Sequence, residues 1–237
     1  MGLSNEANLF LYIRNQTSFN KTIIPFQKMA DLIKLRFFVR YTTHFGQGLW
    51  VMGDINELGN EDPLKAIPLS YLNQEFWYGS IQIKAADLPS NFQYLYFLKN
   101  ENGEMIREWG NDRIINLSEK IPREIQVVDT WNYAGDYGNV FFTKPFHSIL
   151  LKKDKSKNKI TDDKSYTHVF KVKAPLLNKN EMLCMVGGCE ALGDWSTQKP
   201  ILLEKIENWW TVKVNLKDNG APFPYKYGVY ETKKKKF

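Results

Sequence analysis

One residue of this chain has a type and a position suited to binding a flat ligand rich in hydroxyl groups. Trp195 directly follows a Leu-Gly-Asp turn, a position that is normally polar. An exposed indole can cover the apolar C–H face of a pyranose ring, while neighbouring polar side chains satisfy the ring's hydroxyls. We interpret Trp195 as part of a candidate sugar-binding surface.

The sequence lacks the patterns that common catalytic sites require. Glycoside hydrolysis needs two carboxylates across a cleft, and small sheet-based modules provide no obvious deep cleft. A Ser-His-Asp set is not excluded by counting, but there is no G-x-S-x-G motif. Neither Cys184 nor Cys189 has an arginine six residues later, and no glycine-rich segment ends in Gly-Lys-Ser or Gly-Lys-Thr. We predict no catalytic residues in this chain.

The few cysteines and histidines argue against a metal or cofactor site. The chain has 2 cysteines and 3 histidines, His44, His147 and His168, and they form no plausible zinc set. Cys184 falls at an inward strand position and is expected to be a small buried apolar residue. A disulfide to Cys189 across so short a turn is not expected. We therefore predict no metal and no cofactor.

The charge distribution gives no clear indication of a nucleic-acid or membrane partner. The formal net charge is +6, and much of it lies in lysine clusters at 152–159 and 233–236, which we interpret as a solvated linker and tail. A phosphate-binding surface would need basic residues interleaved with aromatics on one face. We find no signal peptide and no segment apolar enough to span a bilayer. The N-terminus does not match the myristoylation motif, because Glu6 occupies the position that requires Ser or Thr. These features predict a cytoplasmic protein.

A duplicated sequence pattern positions the candidate residues. VMGDINELGN, around residue 53, recurs as MVGGCEALGDW around residue 187, with glycine and leucine residues at a constant offset. Farther on, FWYGSI (76–81) corresponds to WWTVKV (209–214), and FQYLYFL (92–98) to FPYKYGV (223–229). Repeats of this length are domains, because solenoid repeats are shorter.

Short aromatic and β-branched segments bounded by Gly, Pro, Asn and Asp predict strands throughout both copies. Asn102-Gly103 is a hairpin turn signal, and no long segment has helical periodicity. The fold class is therefore all-β, with two antiparallel immunoglobulin-like β-sandwich modules in tandem. The predicted strands are 35–41, 48–53, 66–72, 76–83, 92–99, 104–109, 113–117, 124–131, 166–174, 181–187, 200–206, 209–216 and 223–230.

We divide the chain into four parts. Residues 1–33 are a weakly ordered lead-in, 34–142 the first module, 143–165 a basic linker and 166–237 the second module. The second copy has no counterparts of EMIREW, RIINL and EIQVVDTW, so we expect it to be truncated at its C-terminal strands. Such a sandwich would leave an open edge.

The ordered set of motifs resembles a known family. Val-Gly followed by Leu-Gly-Asp-Trp, then Trp-x-x-Val, then Phe-x-Tyr-Lys-Tyr is similar to the starch-binding domain of carbohydrate-binding module family 20. The first copy adds EWGNDR and a final strand ending in DTW (129–131). The tandem arrangement also resembles the N-terminal part of the cytosolic disproportionating 4-α-glucanotransferases, in which a catalytic barrel follows.

The resemblance implies two glucan sites in each module. The first type uses the tryptophan of the Leu-Gly-Asp-Trp turn, the lysine of Phe-x-Tyr-Lys and a tryptophan on the next hairpin, which correspond here to Trp195 and Lys226 in the second module. The corresponding residues of the first module are Glu61, Leu95 and Arg107, so this site is lost there or rebuilt around Trp109.

The second type of site uses aromatic residues near the second and fourth strands. Phe45, Gln47, Tyr71 and Trp77 correspond to it in the first module. In the second module only Trp210 or Trp209 remains, because Lys179 replaces the first aromatic residue. Of these two adjacent tryptophans, we expect one to face inward and one outward, and Trp77 could equally be a core residue.

Three interpretations remain open from the sequence. The first is non-catalytic binding of starch, glycogen or soluble α-1,4-glucan through exposed aromatic residues, with a polysaccharide or malto-oligosaccharide as partner. The second is the N-terminal part of a 4-α-glucanotransferase whose catalytic domain is not in this sequence. The third is a protein-interaction sandwich without glycan affinity.

Overall fold

A computed structural model of the chain describes residues 9–13, 32–117, 121–146, 166–218 and 222–237. The chain forms two compact units, one of Leu11–Ala134 and the other of Gly135–Phe237 with Met1–Phe10. Residues 135–142, which we had assigned to the first module, therefore group with the second unit. Most of the predicted lead-in and of the basic linker lies outside the described residues.

Aromatic and β-branched segments form the strands, as the sequence predicts, and their bounds follow. The strands are β1 (Leu9–Ile13), β2 (Leu32–Arg40), β3 (Gly48–Gly53), β4 (Ile67–Pro68), β5 (Ser70–Tyr71), β6 (Phe76–Lys84), β7 (Asn91–Lys99), β8 (Met105–Arg107), β9 (Ile114–Asn116), β10 (Glu124–Thr130), β11 (His168–Val172), β12 (Glu181–Gly187), β13 (Ile201–Leu202), β14 (Glu204–Ile206), β15 (Trp209–Val214) and β16 (Tyr225–Glu231). Strand β1 falls in the lead-in, where we predicted no strand.

Short 3-10 helices, which the sequence patterns did not predict, connect several strands. They are Asn56–Leu58, Pro63–Lys65, Ala85–Asp87, Tyr137–Phe142 and Glu190–Leu192. The first and the last of these precede the Leu-Gly turns of the two modules.

The first module is a sandwich of two sheets. One sheet has the strand order β5-β6-β2-β10 and the other β4-β3-β7-β8, with β9 also paired to β7. The hairpin predicted at Asn102-Gly103 connects β7 and β8, and Gly103 has a φ of 84°. Strand β10 pairs with β2 in parallel, so this pair is an exception within the antiparallel sandwich that the sequence predicts. A parallel neighbour requires a connection longer than a hairpin, and the chain from β2 to β10 includes all the intervening strands.

The second module repeats this arrangement with fewer strands. Strands β14, β15 and β11 are neighbours in one sheet, and β13, β12 and β16 in the other. Strand β16 pairs antiparallel with β12 along seven residues, from Tyr225 to Glu231. Strand β16 is the last strand of its sheet, whereas its counterpart β7 has β3 on one side and β8 and β9 on the other.

In both modules the chain crosses from one sheet to the other at a single leucine. Strand β4 pairs with β3 and β5 pairs with β6, so the chain changes sheet at Leu69, whose side chain is buried and whose N–H donates to the Leu49 carbonyl at 2.8 Å. Leu203 has the same role between β13 and β14, and its N–H donates to the Leu183 carbonyl at 2.9 Å. The sequence predicted one continuous strand at each of these places.

Alternating apolar residues of each strand form the core between the sheets. In β2, the side chains of Ile33, Leu35, Phe37 and Val39 are buried while their neighbours are not, as expected of a strand with one face in the core. The Phe37 ring lies 5.5 Å from the Tyr94 ring on the opposite sheet. In the second module the corresponding rings, Phe170 and Tyr225, are 5.0 Å apart.

A buried network of charged residues and tyrosines links β10 to the other strands of the first module. Arg113 donates to both carboxylate oxygens of Glu108, at 2.7 and 2.8 Å, and to Asp129 Oδ1 at 2.7 Å. The hydroxyls of Tyr94 and Tyr96 donate to Asp129 Oδ2 at 2.9 and 2.7 Å. Removing one partner from such a network typically costs about 3–5 kcal/mol, because it leaves a buried charge uncompensated. These residues therefore hold β10 against the rest of the module.

Among the described residues, no helix is long and apolar enough to cross a membrane.

Candidate functional site

The Leu-Gly turn has the same backbone geometry in both modules. Gly59 and Gly193 have φ values of 88° and 81°, and each ends a 3-10 helix with a backbone hydrogen bond. The next residue pairs are also left-handed, at 51° and 60° for Asn60 and Glu61 and at 47° and 62° for Asp194 and Trp195. The sequence repeat is therefore a structural repeat, and it presents Glu61 and Trp195 in equivalent positions.

Trp195 is anchored by its backbone and exposed through its side chain. Its N–H donates to the Gly187 carbonyl at 2.8 Å, and its exposed fraction is 42%. Gly187 pairs with Tyr225 in the sheet, and the next pair is Val186 with Lys226. The structure therefore brings Trp195 and Lys226 to the same end of one sheet, and both residues are exposed to solvent.

The equivalent position of the first module carries different chemistry. The Glu61 N–H donates to the Gly53 carbonyl at 2.7 Å, which copies the anchor of Trp195. Glu61 is exposed, Leu95 is half-buried opposite Met52 in the sheet, and Arg107 is exposed at the end of β8. No aromatic face stands at the turn, in line with the expected loss of this site from the first module.

Phe45 is the most exposed aromatic residue among those described. Its relative exposure is 101%, and it precedes Gly46, whose φ of 83° turns the loop between β2 and β3. The Gln47 amide accepts from the His44 N–H and donates to Asn100 Oδ1, both at 2.9 Å. Gln47 therefore fixes the loop that presents Phe45 and ties it to the end of β7.

Tyr71 and Trp77 form a cross-strand pair at the same end of the module. Their rings are 5.7 Å apart and nearly perpendicular. At the start of the Phe45 loop, the Tyr41 N–H donates to the carbonyl of Glu75, in the turn between β5 and β6, at 2.9 Å. Tyr71 is exposed, but Trp77 is buried because it pairs with Val39, whose side chain faces the core. The Trp77 indole N–H has no hydrogen-bond partner among the described residues.

Neither tryptophan at the start of β15 presents an open face. Trp210 belongs to the core of the second module, and its Nε1 donates to the Ala174 carbonyl at 3.2 Å. Trp209 is equally buried, beneath the Lys173 ammonium group, which lies 4.6 Å from its ring. The two rings point to opposite faces, as strand alternation predicts, but Lys173 lies over the outer ring of Trp209. Trp210 therefore lacks the exposed face that an aromatic binding surface needs.

Trp109 is half-buried and held by the segment that follows β10. Its N–H donates to the Asn132 carbonyl at 2.9 Å, and the Asn132 amide donates to the Trp109 carbonyl at 3.0 Å. These bonds place Trp109 beside the final strand of the module. Whether a binding site is rebuilt around it stays a prediction.

The sequence analysis missed the surface beneath Trp195. A Cβ atom at Gly188 would lie 3.1 Å from Trp195 Nε1 and 3.1 Å from Pro224 Cγ, so the indole edge lies against the Gly188 backbone and beside Pro224. The only available signal was the difference between the copies, since Asp54 and Gln93 occupy these positions in the first module.

The described residues contain no group of three or more His, Cys, Asp or Glu side chains arranged to hold a metal ion. Cys184 and Cys189 are free thiols, and Cys184 is fully buried, as predicted for a small core residue. Burial raises the pKa of the Cys184 thiol to about 11, so it is protonated at neutral pH and poorly nucleophilic.

Curated relatives match this chain over a minor part of their own length. The chain is 25% identical over 215 residues to 4-alpha-glucanotransferase DPE2 of Oryza sativa subsp. japonica, covering 85% of this chain and 22% of the rice protein. It is 35% identical over 89 residues to the cyclomaltodextrin glucanotransferase of Bacillus sp. (strain 1-1), covering 35% of this chain and 12% of that protein.

A solved structure and a family model also match. The family 20 carbohydrate-binding module of the maltotetraose-forming amylase from Pseudomonas saccharophila STB07 is 18% identical, with a TM-score of 0.32, over 42% of this chain and 100% of that one. The family model described as "Starch binding domain" matches residues 32–127 and 166–236. These two segments make up more than half of the chain and include strands β2–β9, most of β10, and β11–β16, and the chain therefore belongs to the family of starch-binding domains.

Proposed function

We propose that this chain binds α-1,4-glucan, in the form of starch, glycogen or malto-oligosaccharide, and that it does so without catalysing a reaction on it. The observation that carries the proposal is the exposed indole of Trp195, held by a left-handed turn at the same end of the sheet as Lys226. Membership of the starch-binding domain family supports the same ligand.

In this proposal each module binds glucan through a different set of residues. In the second module, Trp195 stacks on a glucose ring and Lys226 donates to its hydroxyls. In the first module, the exposed rings of Phe45 and Tyr71 form the contact surface, and Gln47 holds the loop that carries Phe45. The buried side chains of Trp77 and Trp210 support these surfaces from the core.

Retention on insoluble starch tests the proposal. We expect the wild type to be retained, and Trp195→Asn with Lys226→Ala to weaken retention by about tenfold or more, as for loss of a central aromatic contact. Asparagine tolerates the left-handed backbone, so this variant removes the ring and keeps the turn. Trp195→Phe should retain most of the binding.

A matched control is Tyr137→Ala, which removes an exposed aromatic ring outside both surfaces and should leave retention unchanged. Absence of retention by the wild type, together with unchanged tryptophan fluorescence on adding maltoheptaose, would contradict glucan binding and favour a protein-interaction role. Unchanged retention of the Trp195 variant would contradict the site assignment alone.

A second proposed role is that of the glucan-binding part of a 4-α-glucanotransferase. The match of 85% of this chain to the rice 4-alpha-glucanotransferase supports it. An immunoblot of the native polypeptide, followed by an assay for glucosyl transfer between maltose and glycogen in the immunoprecipitate, tests it. A native polypeptide close to the 27.7 kDa of this sequence, without transfer activity, would contradict it. We also propose a cytoplasmic location, which the two free thiols support.

A further inference from the structure

The indole nitrogen of Trp195 and the ring of Pro224 both lie close to the backbone of Gly188. The Gly188 N–H donates to the Pro224 carbonyl at 2.9 Å, which joins the end of β12 to the segment before β16. A Cβ atom at residue 188 would lie 3.1 Å from Trp195 Nε1 and 3.1 Å from Pro224 Cγ. Cβ atoms rarely come so close to other atoms, so a larger side chain at residue 188 has to displace the indole or the proline.

Space rather than backbone conformation restricts residue 188, because a Cβ atom there requires the indole or the proline ring to shift by a few tenths of an ångström. The φ of Gly188 lies outside the left-handed range, so any residue can adopt its backbone. Gly193, in the same turn, is the opposite case, because its φ is 81° while a Cβ atom there would meet nothing closer than 3.7 Å. Of these two glycines, only Gly188 has the Trp195 ring close enough to restrict a side chain at its position.

The first module has a hydrogen-bonded pair at the equivalent positions. Asp54 and Gln93 occupy the positions of Gly188 and Pro224, and the Asp54 N–H likewise donates to the Gln93 carbonyl, at 3.1 Å. In addition, the Gln93 N–H donates to Asp54 Oδ1 at 2.9 Å. Proline has no N–H, so Pro224 could not fix an aspartate in this way. Each module therefore has a hydrogen-bonded pair at these positions, and only in the second module does the first member of the pair lack a side chain.

We propose that Gly188 and Pro224 are positioning residues for glucan binding, which set the orientation of Trp195 without contacting the ligand themselves. The Asp54–Gln93 pair occupies the equivalent space in the first module and restricts binding at this turn to the second module. This inference rests on the proposed glucan-binding function.

The variant Gly188→Asp with Pro224→Gln tests the inference. It reproduces a pair that the first module accommodates with the same turn, so the second module is expected to fold. Maltoheptaose affinity, measured by calorimetry on the full chain, should fall about tenfold, as for loss of a central aromatic contact. In a Trp195→Asn background the same two changes should cause no further loss, because they act through the indole.

An NMR measurement without glucan separates this inference from the proposed function. The wild type should show a nuclear Overhauser effect between the Trp195 indole N–H proton and a Gly188 Hα, and its absence would overturn the inference even if glucan binds. Wild-type affinity in the Gly188→Asp/Pro224→Gln variant, or an equal loss in the Trp195→Asn background, would also overturn it. A wild type that shows this nuclear Overhauser effect but binds no glucan would overturn both the proposed function and the role of Gly188 and Pro224 in binding. Only the contact between the Trp195 indole and Gly188 would then stand.

Discussion

The backbone of Trp195 has a φ of 62°, in the left-handed region that costs most residues about 1–2 kcal/mol. Bulky side chains seldom occupy this region, and the preceding residue, Asp194, is left-handed as well. The Trp195 N–H donates to the Gly187 carbonyl at 2.8 Å, which holds the turn in this conformation. Glu61 has the same left-handed backbone, with a φ of 60°, so the strain belongs to the turn of both modules rather than to the tryptophan alone.

His168 gives the second module a pH-dependent stability. Its side chain is 1% exposed, and burial lowers its pKa to about 4, compared with about 6.5 in an unfolded chain. The Thr167 hydroxyl accepts from the Leu216 N–H and can donate its proton to His168 Nδ1, 2.8 Å away, which suits a neutral imidazole. Below pH 6.5 the unfolded state binds a proton that the folded state binds only near pH 4.

We therefore expect a loss of stability on acidification that depends on His168. The contribution is present in full above pH 6.5 and is lost as pH falls to about 4, with a total change on the order of 3 kcal/mol. The comparison is with His168→Leu, because Leu35 occupies the equivalent position in the first module. Urea unfolding of both proteins between pH 7.5 and 4.5 measures the difference, and parallel stability curves would contradict the prediction.

Single residues also show where sequence reasoning reached its limit. Strand alternation predicts that Trp209 and Trp210 point to opposite faces, but not that Lys173 covers the outer one. The burial of Trp77 follows from its pairing with Val39, which depends on the register of two distant strands. By contrast, the exposure of Trp195 was predicted from local sequence, because a turn position depends little on distant packing.

At the scale of elements, most strands could be predicted because each is a local pattern. Strands β3 and β12 have the predicted bounds, 48–53 and 181–187. The breaks at Leu69 and Leu203 were not predicted, since only the presence of two facing sheets makes a strand divide between them. The parallel pairing of β10 with β2 was missed for the same reason.

The duplicated turn can be tested by transplanting it as an element. In a Trp195→Asn chain that also carries Leu95→Lys, we expect Glu61→Trp alone to restore little binding, because the Asp54–Gln93 pair occupies the place of the indole edge. Adding Asp54→Gly and Gln93→Pro should then restore maltoheptaose affinity to within about tenfold of that of the native second-module site. Calorimetry on the two variants measures this.

The comparison between those two variants decides the outcome, because both carry the same tryptophan and lysine. Equal affinity of the two variants would mean that the Asp54–Gln93 pair does not affect glucan binding by the tryptophan at residue 61. A failure of both, in chains shown to be folded by their near-ultraviolet circular dichroism, would mean that the transplanted turn and lysine bind glucan only within the second module.

At the scale of the whole molecule, the proposed function gives one chain two glucan-binding surfaces, which can engage the same polymer. An open aromatic surface buries little area, so each site alone is expected to be weak. Binding of a second site on the same polymer is intramolecular, and its effective concentration can raise the apparent affinity by about 10²–10⁴-fold when the connecting chain permits both contacts. This gain needs no contact beyond those of the individual sites.

We therefore expect the two surfaces to be independent on a short ligand and coupled on a long one. Phe45→Ala with Tyr71→Ala removes the first surface, and Trp195→Asn with Lys226→Ala removes the second. For maltoheptaose, each pair should remove one site and leave the affinity of the other unchanged. For amylose longer than the span between the sites, loss of either surface should lower the apparent affinity by far more than twofold, because the effective-concentration term is lost with it. A decrease of only about twofold on amylose would mean that the modules bind separately, and the duplication would then only double the number of sites.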